Sequence, residues 1–324
     1  MRLSAARPAV VLTALAAIVS AGAAAIFLLH RDSRTTGTIS VSVPGPHGLA
    51  AVGSDIAAAL YGPGEVVKLD GDGRVRFRVH VGSHPTNPTY AGDTIWVPLV
   101  GSNTLVGLDP DTGAIRHRYP GTFAAAVAGP GGALYLPTWV NAPADPALWR
   151  GNAVTRLDPV SGKPVWRRSL RGIVLNLATT STRVWAPDFA SNLLTILSAQ
   201  TGAVVRTVKL PRRPVSIAVG GRCAWLALTG GRLMRLNART AAIEGTTSTE
   251  NANVDYLEAA DHGVWTISYA GASASVLEHF SCATGRRDAR APTGGASQGL
   301  VVGTRYVWAA DYSAGRIVRL MKPR

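Results

Sequence analysis

Cysteine and acidic residues are both scarce in this sequence. It contains two cysteines, Cys223 and Cys282, which are too few for a cysteine-based metal site, so we predict none. Asp and Glu number 19 against 33 Lys and Arg, which gives a net charge of +14. No recognised nucleic-acid-binding motif accompanies this excess, and we therefore expect no nucleic-acid partner.

Long apolar runs are limited to one segment near the start of the chain. Residues 9–29 are 21 residues without a charge, flanked by two arginines on each side. Such a run is long enough to span a bilayer. It predicts a signal anchor or a long signal peptide over residues 1–30, with a possible cleavage site at Ala21-Gly22-Ala23. We favour the uncleaved anchor, with the rest of the chain outside the cytoplasm, or secreted if cleavage occurs.

A turn motif recurs through the rest of the chain. The clearest copies are Leu-Asp-Pro-Asp-Thr-Gly from Leu108 and Leu-Asp-Pro-Val-Ser-Gly from Leu157. Weaker copies begin at Leu69, Leu197, Leu236, Phe280 and Leu320, so that successive copies are 39 to 49 residues apart. In such a turn Asp accepts hydrogen bonds from backbone N–H groups, Pro fixes φ and Gly takes a positive φ. The spacing indicates seven repeating units.

An aromatic residue recurs in phase with these turns. Its copies are Trp96, Tyr135, Trp185, Trp225, Trp265 and Trp308. Each follows a short apolar run and a tight turn, and alternation predicts four short strands in each unit. Four strands and a period near forty predict an all-β fold, a seven-bladed β-propeller over residues 38–324. We expect the aromatic side chains to pack between neighbouring blades.

The two ends of the predicted propeller complement each other. The seventh unit has three predicted strands, whereas residues 38–43 alternate as a further strand. We predict that this N-terminal strand closes the last blade and that residues 31–37 are a linker. Cys223 and Cys282 fall in turns on one face of neighbouring blades. They either form a disulfide bond or remain two free thiols, and the sequence leaves both alternatives open.

Arginine is concentrated on the predicted fourth strands, which are the outermost strands of the blades. The basic residues there are Arg74, Arg76, Arg78, Arg116, Arg118, Arg167, Arg168, Arg206, Lys209, Arg286 and Arg287. A cationic perimeter suits anionic lipid headgroups or wall polymers. Charged side chains on edge strands also prevent association of sheets, and we favour this interpretation.

Ligands of propellers usually bind at the mouth of the central channel. Alignment of the units predicts these side chains there: His47, Tyr61, Asn87, Asn176, Asp188, Asp255, Tyr269, Gln298, Asp311 and Tyr312, with Trp139 and Trp149 on the longest loop. Glu258 and His262 are weak catalytic candidates, as a local Glu/His pair. The predicted rim is rich in amides and aromatic rings, which favours binding over catalysis.

Three segments resemble a known family. They are "PVSIAVGGRCAWLALTGGRLMRLNARTAAI" from Pro214, "AVAGPGGALYLPTW" from Ala126 and "GLVVGTRYVWAADYSAGRIVRL" from Gly299. They look like the repeats of YVTN/YncE-like propellers and of streptogramin lyases such as virginiamycin B lyase. The lyase resemblance implies opening of a macrocyclic lactone with a His base, acidic residues and Mg²⁺. No cofactor is expected otherwise, and the quinoprotein-like stretch "SGKPVW" from Ser161 occurs once instead of in every unit.

The sequence therefore predicts a membrane-anchored, extracytoplasmic propeller. We expect a monomeric binding or scaffolding module of the cell envelope, whose partner is an envelope protein, a polymer or a small molecule. A streptogramin lyase-like enzyme is the alternative.

Overall fold

The structure, a computed structural model, describes residues 39–138, 152–170, 172–271, 274–293 and 297–322. In these residues the chain forms 28 strands. They make seven antiparallel sheets of four strands each. The first strands of the sheets contact one another in a closed ring, from β2 through β6, β10, β14, β18, β22 and β26 back to β2. This arrangement is a seven-bladed β-propeller, as predicted.

Six blades are formed by four consecutive strands. Blade 1 contains β2 (Pro46–Val52), β3 (Asp55–Leu60), β4 (Glu65–Leu69) and β5 (Val75–His80). Blade 2 contains β6 (Thr89–Ala91), β7 (Thr94–Leu99), β8 (Thr104–Leu108) and β9 (Ile115–Pro120). Blade 3 contains β10 (Val127–Ala128), a short 3₁₀ helix (Pro130–Gly132), β11 (Leu134–Thr138), β12 (Ala153–Leu157) and β13 (Pro164–Ser169).

The remaining blades follow the same order. Blade 4 contains β14 (Ala178–Thr179), β15 (Arg183–Asp188), β16 (Leu193–Ser198) and β17 (Val204–Lys209). Blade 5 contains β18 (Pro214–Gly220), β19 (Cys223–Leu228), β20 (Arg232–Asn237) and β21 (Ile243–Ser248). Blade 6 contains β22 (Asn253–Ala260), β23 (Gly263–Ala270), β24 (Ala274–Ser281) and β25 (Arg287–Pro292). Blade 7 combines β26 (Ser297–Val302), β27 (Tyr306–Asp311) and β28 (Arg316–Met321) with β1 (Ile39–Ser42).

The repeated turns have the predicted geometry. In the turn between β8 and β9, Asp109 accepts hydrogen bonds from the backbone N–H groups of Asp111 (2.9 Å) and Thr112 (2.7 Å), and Gly113 has a φ of +73°. The hydrogen bond from Thr112 is the largest cause that lowers the pKa of Asp109, to about 2. Ala241 replaces the glycine in blade 5 and still has a φ of +57°, a conformation that costs a residue with a Cβ atom about 1 kcal/mol.

Seven hydrophobic clusters hold the ring together, one at each boundary between blades. Trp96, for example, packs against Leu134 and Leu157 of blade 3. The other recurring aromatic residues are also buried at boundaries: Tyr135, Trp185, Trp225, Trp265 and Trp308. Their predicted role between blades is therefore confirmed. Blade 1 has Ala57 at this position, and Phe77 and Tyr90 pack against its cluster.

The N-terminal strand closes the ring as predicted. β1 pairs with β28 in an antiparallel register that runs from Ile39 opposite Arg319 to Ser42 opposite Arg316. It is the outermost strand of blade 7, and Val41 is buried in the cluster between blades 7 and 1. The first and last strands of the propeller are thus held in one sheet.

Cys223 and Cys282 form a disulfide bond. Their Cα atoms are 6.0 Å apart, within the range that a disulfide spans. The bond joins blades 5 and 6, so the radial offset between the two turns does not prevent pairing. It spans 59 residues of sequence, and a cross-link of this length restricts the unfolded chain.

The predicted anchor at residues 9–29 and linker at residues 31–37 lie outside the described residues. Within the described part of the chain, no helix is long and apolar enough to cross a membrane.

Truncation of Val41 tests the closing strand. Val41 is 2% exposed, and Val41→Ala removes buried methyl groups and leaves a small cavity. We expect the free energy of unfolding to fall by about 1–3 kcal/mol, measured by denaturant titration with tryptophan fluorescence. The control is Ser42→Ala on the exposed side of the same strand, with a change within about 0.5 kcal/mol. Equal unfolding midpoints for both variants would show that β1 is not docked.

Candidate functional site

The innermost strands of four blades contain β-bulges where they reach the mouth of the channel. The pairing register shifts between residues 46 and 49, 214 and 216, 254 and 257, and 297 and 300. A bulge leaves its extra residue out of the ladder and re-aims its side chain. Residues inside these bulges line one cavity: His47, Val215, Asp255, Tyr256 and Gln298. The bulges therefore build the mouth.

The mouth cavity has a volume of about 330 Å³. Its other lining residues are Tyr61, Thr86, Asn87, Val100, Ala124, Leu175 and Asn176. Six residues predicted for the rim thus meet in one cavity: His47, Tyr61, Asn87, Asn176, Asp255 and Gln298.

Aromatic rings form one side of the mouth. The ring of Tyr61 stacks on His84 with centroids 4.5 Å apart, and His47 lies 5.4 Å from Tyr61. Tyr312, also predicted for the rim, contacts His47 edge-on at 6.2 Å. Burial lowers the pKa of His47, and the nearby charge of Asp255 opposes this effect only in part. His47 is therefore neutral at pH 7.

A carboxylate from blade 6 also lines the mouth. Asp255 Oδ2 accepts hydrogen bonds from the hydroxyl of Tyr269 (2.5 Å) and from Nε2 of Gln298 (3.4 Å). Burial, followed by this bond to Asp255, raises the pKa of Tyr269, which keeps the phenol protonated as a donor. Three residues predicted separately for the rim thus form one hydrogen-bonded group.

A tyrosine crosses the channel below the mouth. The hydroxyl of Tyr256 in blade 6 donates a hydrogen bond to Oδ1 of Asn87, before blade 2, at 2.9 Å. Burial raises the pKa of Tyr256. Asn87 and Tyr256 line both the mouth and a second cavity deeper in the channel, so they form the boundary between the two. Gly48 allows the backbone of Asn87 to lie close to β2, because a Cβ atom at residue 48 would lie 2.6 Å from that backbone.

Glu258 lies in the deeper cavity, which has a volume of about 310 Å³. Its other lining includes Leu49, Leu177 and Ile217. The side chain is open to the channel but enclosed by the surrounding blades, and this enclosure raises the pKa of Glu258 to about 7. Among the described residues, none donates a hydrogen bond to its carboxyl group.

His262 lies at the opposite face of the propeller. It is exposed in the turn between β22 and β23 and lines a third cavity with Arg222 and Cys282. Glu258 and His262 therefore do not share a cavity. The spelling Gly-x-Ser-x-Gly occurs at residues 295–299, but a nucleophile elbow needs a turn from strand to helix, whereas Ser297 is the first residue of β26.

Two predicted rim carboxylates hold loops instead of lining the mouth. Asp188 accepts hydrogen bonds from the backbone N–H groups of Ile173 (2.9 Å) and Ala190 (2.9 Å). Asp311 accepts one from the backbone of Ala314 (3.0 Å) and forms an ion pair with Arg316 (3.1 Å). Both side chains are buried, which leaves them unsuited as ligand contacts.

Trp139 and Trp149 lie outside the described residues. Sequence reasoning found none of the apolar lining residues of the mouth, and it missed three residues with polar groups, His84, Thr86 and Tyr256. His84 and Thr86 lie on the loop that carries Asn87, so the length of this loop could have indicated them. Tyr256 had no such signal, because strict alternation along β22 predicts that its side chain points away from the channel. The bulge between Val254 and Leu257 turns the side chain towards the channel.

Comparison with known proteins supports the fold. No family model and no curated protein sequence matches the chain. BamB from Moraxella catarrhalis is similar in structure, with a TM-score of 0.59 and 19% identity over 86% of this chain and 82% of BamB. The computationally designed protein Ika8 is similar with a TM-score of 0.65 and 11% identity over 85% and 83% of the two chains. At these identities the likeness shows a shared propeller fold, and membership of the YVTN/YncE or streptogramin lyase families stays a prediction.

The pH dependence of stability tests the enclosure of Glu258. Its carboxyl titrates near 4.5 in the unfolded chain and near 7 in the folded protein, so the folded state binds the proton more tightly. The free energy of unfolding should therefore fall as the pH rises from about 4.5 to about 7. In Glu258→Gln this fall should be absent, a difference on the order of 1 kcal/mol after screening by channel water.

Denaturant titrations across this pH range measure the effect. The matched control is Asp111→Asn, which removes an exposed carboxylate on the opposite face. We expect its profile to run parallel to that of the wild type. A Glu258→Gln profile that also runs parallel to the wild type would place the carboxyl group in bulk-like water.

Proposed function

We propose that this chain is a membrane-anchored, extracytoplasmic propeller that binds a ligand or a segment of another protein at the mouth cavity. The observation that carries the proposal is the convergence of bulged inner strands from four blades on one cavity. His47, Asp255 and Gln298 come from blades 1, 6 and 7 and meet there with unpaired hydrogen-bonding capacity. A concave site with a few convergent polar groups is typical of ligand binding.

The mouth favours a ligand group that donates hydrogen bonds. Asp255 and neutral His47 are acceptors, and the amides of Asn176 and Gln298 can accept as well. The rings of Tyr61 and Tyr312 offer flat apolar surface beside them, which also suits a cation. A volume of about 330 Å³ fits one amino-acid side chain or a small molecule.

The proposed location is supported by sequence and by covalent structure. The 21 uncharged residues of 9–29 have the length of a membrane span. The disulfide between Cys223 and Cys282 fits an oxidising compartment outside the cytoplasm.

A lyase-like enzyme is the weaker candidate. A general acid and base must act in one site, whereas Glu258 and His262 line different cavities. Within the described residues, no group of three or more His, Cys, Asp or Glu side chains is placed to hold a metal ion. We propose binding, with Mg²⁺ relevant only to the lyase alternative.

A ligand panel with matched variants tests the mouth. The full-length protein in neutral detergent is titrated with arginine amide, glutamine amide, leucine amide and glutamate amide, and with a streptogramin-type lactone plus Mg²⁺. A ligand that binds only the folded state raises the melting temperature. We expect arginine amide to give the largest shift, because Asp255 and the aromatic side favour a cationic donor.

Asp255→Asn should reduce the affinity for arginine amide about tenfold, as expected for loss of a charge-assisted contact. Asp111→Asn makes the same chemical change on the opposite face and should have no effect. A shift that both variants retain would place binding elsewhere, and a shift with lactone and Mg²⁺ alone would favour the lyase.

Deletion of residues 9–29 tests the anchor. We expect the full chain in the membrane fraction, resistant to alkaline extraction, and the deletion variant in the soluble fraction, because these 21 uncharged, mostly apolar residues bury enough surface for stable insertion. Immunoblots of both fractions locate the protein, and its intact mass shows whether the N-terminal residues have been removed. A full chain that is soluble and shortened after Ala23 would identify a cleaved signal peptide instead.

A further inference from the structure

The net positive charge of the propeller comes from three consecutive blades. The described residues of 127–248, which form blades 3 to 5, contain thirteen Lys and Arg against three Asp and Glu, a net charge of +10. The other four blades, residues 39–126 and 249–322, contain thirteen Lys and Arg against fourteen Asp and Glu, a net charge of −1. The arginine perimeter expected from the sequence is thus a one-sided cationic sector, defined as the outer surface of blades 3 to 5.

Two arginines of the sector contact backbone carbonyls, whereas Arg235 forms an ion pair with Glu244 at 3.4 Å. In blade 1, Arg76 forms an ion pair with Asp70 at 3.4 Å. In the cationic sector, Arg206 instead donates to the backbone carbonyl of Thr240 at 2.5 Å, and Arg168 donates to that of Gly202 at 2.8 Å. A carbonyl fixes the guanidinium group without neutralising it. The charges of the exposed Arg168 and Arg206 therefore stay available to a partner.

Exposed apolar side chains are concentrated in the same sector. Of the eight large hydrophobic residues that are exposed in the described structure, five lie there: Val160 (83%), Val165 (53%), Val204 (51%), Val205 (51%) and Ile243 (49%). They follow the outer strands β13, β17 and β21 and the turn before β13. In β17 five of six side chains are exposed. Clustered apolar residues on a surface mark interaction sites.

We propose that the cationic sector binds an acidic segment of a partner protein that carries apolar side chains among its carboxylates. Guanidinium groups bind carboxylates in a bidentate manner. Valines on the strands supply contact area, and the outer strands offer free edges with which an extended segment can pair. This surface is separate from the mouth, so the inference does not depend on the site proposed there.

Two other anionic partners fit the sector less well. Proteins that lie on membranes insert Trp, Phe or Leu side chains, whereas the exposed apolar side chains here are Val and Ile. A polyanion without apolar groups would use the arginines and leave the valines in water. The combination of charge and valine therefore favours a protein segment.

Binding of defined probes tests the proposal. The full-length protein in neutral detergent is titrated with a short labelled peptide of alternating Val and Glu, and fluorescence anisotropy gives its affinity. A Ser/Glu peptide of the same length, a Val/Lys peptide, polyphosphate and empty phosphatidylglycerol nanodiscs are measured in parallel. We expect the Val/Glu peptide to bind about tenfold more tightly than the Ser/Glu peptide and more weakly as salt is added.

Charge reversal locates the site. Arg167→Glu combined with Lys209→Glu changes the outer strands of blades 3 and 4 and should weaken Val/Glu peptide binding at least tenfold. Arg286→Glu combined with Arg305→Glu makes the same change in net charge on exposed residues of blades 6 and 7, and should weaken binding less than twofold. An equal loss in both double variants would reflect net charge alone and would overturn the proposal.

Truncation of the valines tests the apolar contribution. Val165→Ser combined with Val205→Ser should lower the affinity for the Val/Glu peptide to the affinity for the Ser/Glu peptide. The control, Val75→Ser combined with Met321→Ser, changes exposed apolar residues of blades 1 and 7 and should leave affinity unchanged. Tryptophan fluorescence of each variant verifies that the ring is folded. The proposal is wrong if the Val/Glu peptide does not bind, or if polyphosphate or the nanodiscs bind more tightly than it does.

Discussion

The contact between neighbouring blades is the interaction on which the rest of this structure depends. A four-stranded sheet has two faces, and in a ring each face is covered only by the next sheet. Large flat side chains such as Trp96, Trp185 and Trp225 fill the wedge between sheets that diverge from the axis. The mouth exists only as a consequence of this packing, because its residues come from blades that are distant in sequence. Loss of one boundary would therefore affect the site as well as stability.

The turns and the aromatic positions could be predicted because local chemistry determines them. Asp109 and Gly113 adopt their turn for reasons contained in six residues, and Trp96 needs only a strand and a neighbouring blade. Closure by residues 38–43 was also predictable, since an incomplete sheet at one end requires a strand from the other. Local periodicity and local turn chemistry thus specified the fold.

The site was less accessible to such reasoning, because it depends on departures from regular pairing. The bulge at residues 254–257 turns both Asp255 and Tyr256 towards the channel, and alternation alone accounts for one of them. Asp188 and Asp311 have rim positions in the repeat, yet backbone N–H groups of nearby loops occupy their carboxylates. Which hydrogen bonds a side chain has already formed cannot be read from its place in a repeat. The distribution of charge was similar: composition gives a net charge of +14, but the concentration of positive charge in blades 3 to 5 emerges only when residues are grouped by sheet.

The register of the closing strand has a geometric consequence. Ile39 pairs with Arg319 and lies near Gly73, in a turn on the face opposite the mouth, whereas Ser42 pairs with Arg316 beside the loop that carries Tyr312. The chain therefore enters the propeller at the outer rim of blade 7, on the lower face. With a membrane tether ahead of this point, the lower rim of blade 7 would stand nearest the bilayer. The mouth would then open away from the lipid surface, and blades 3 to 5 would project sideways from the tether into the surrounding space.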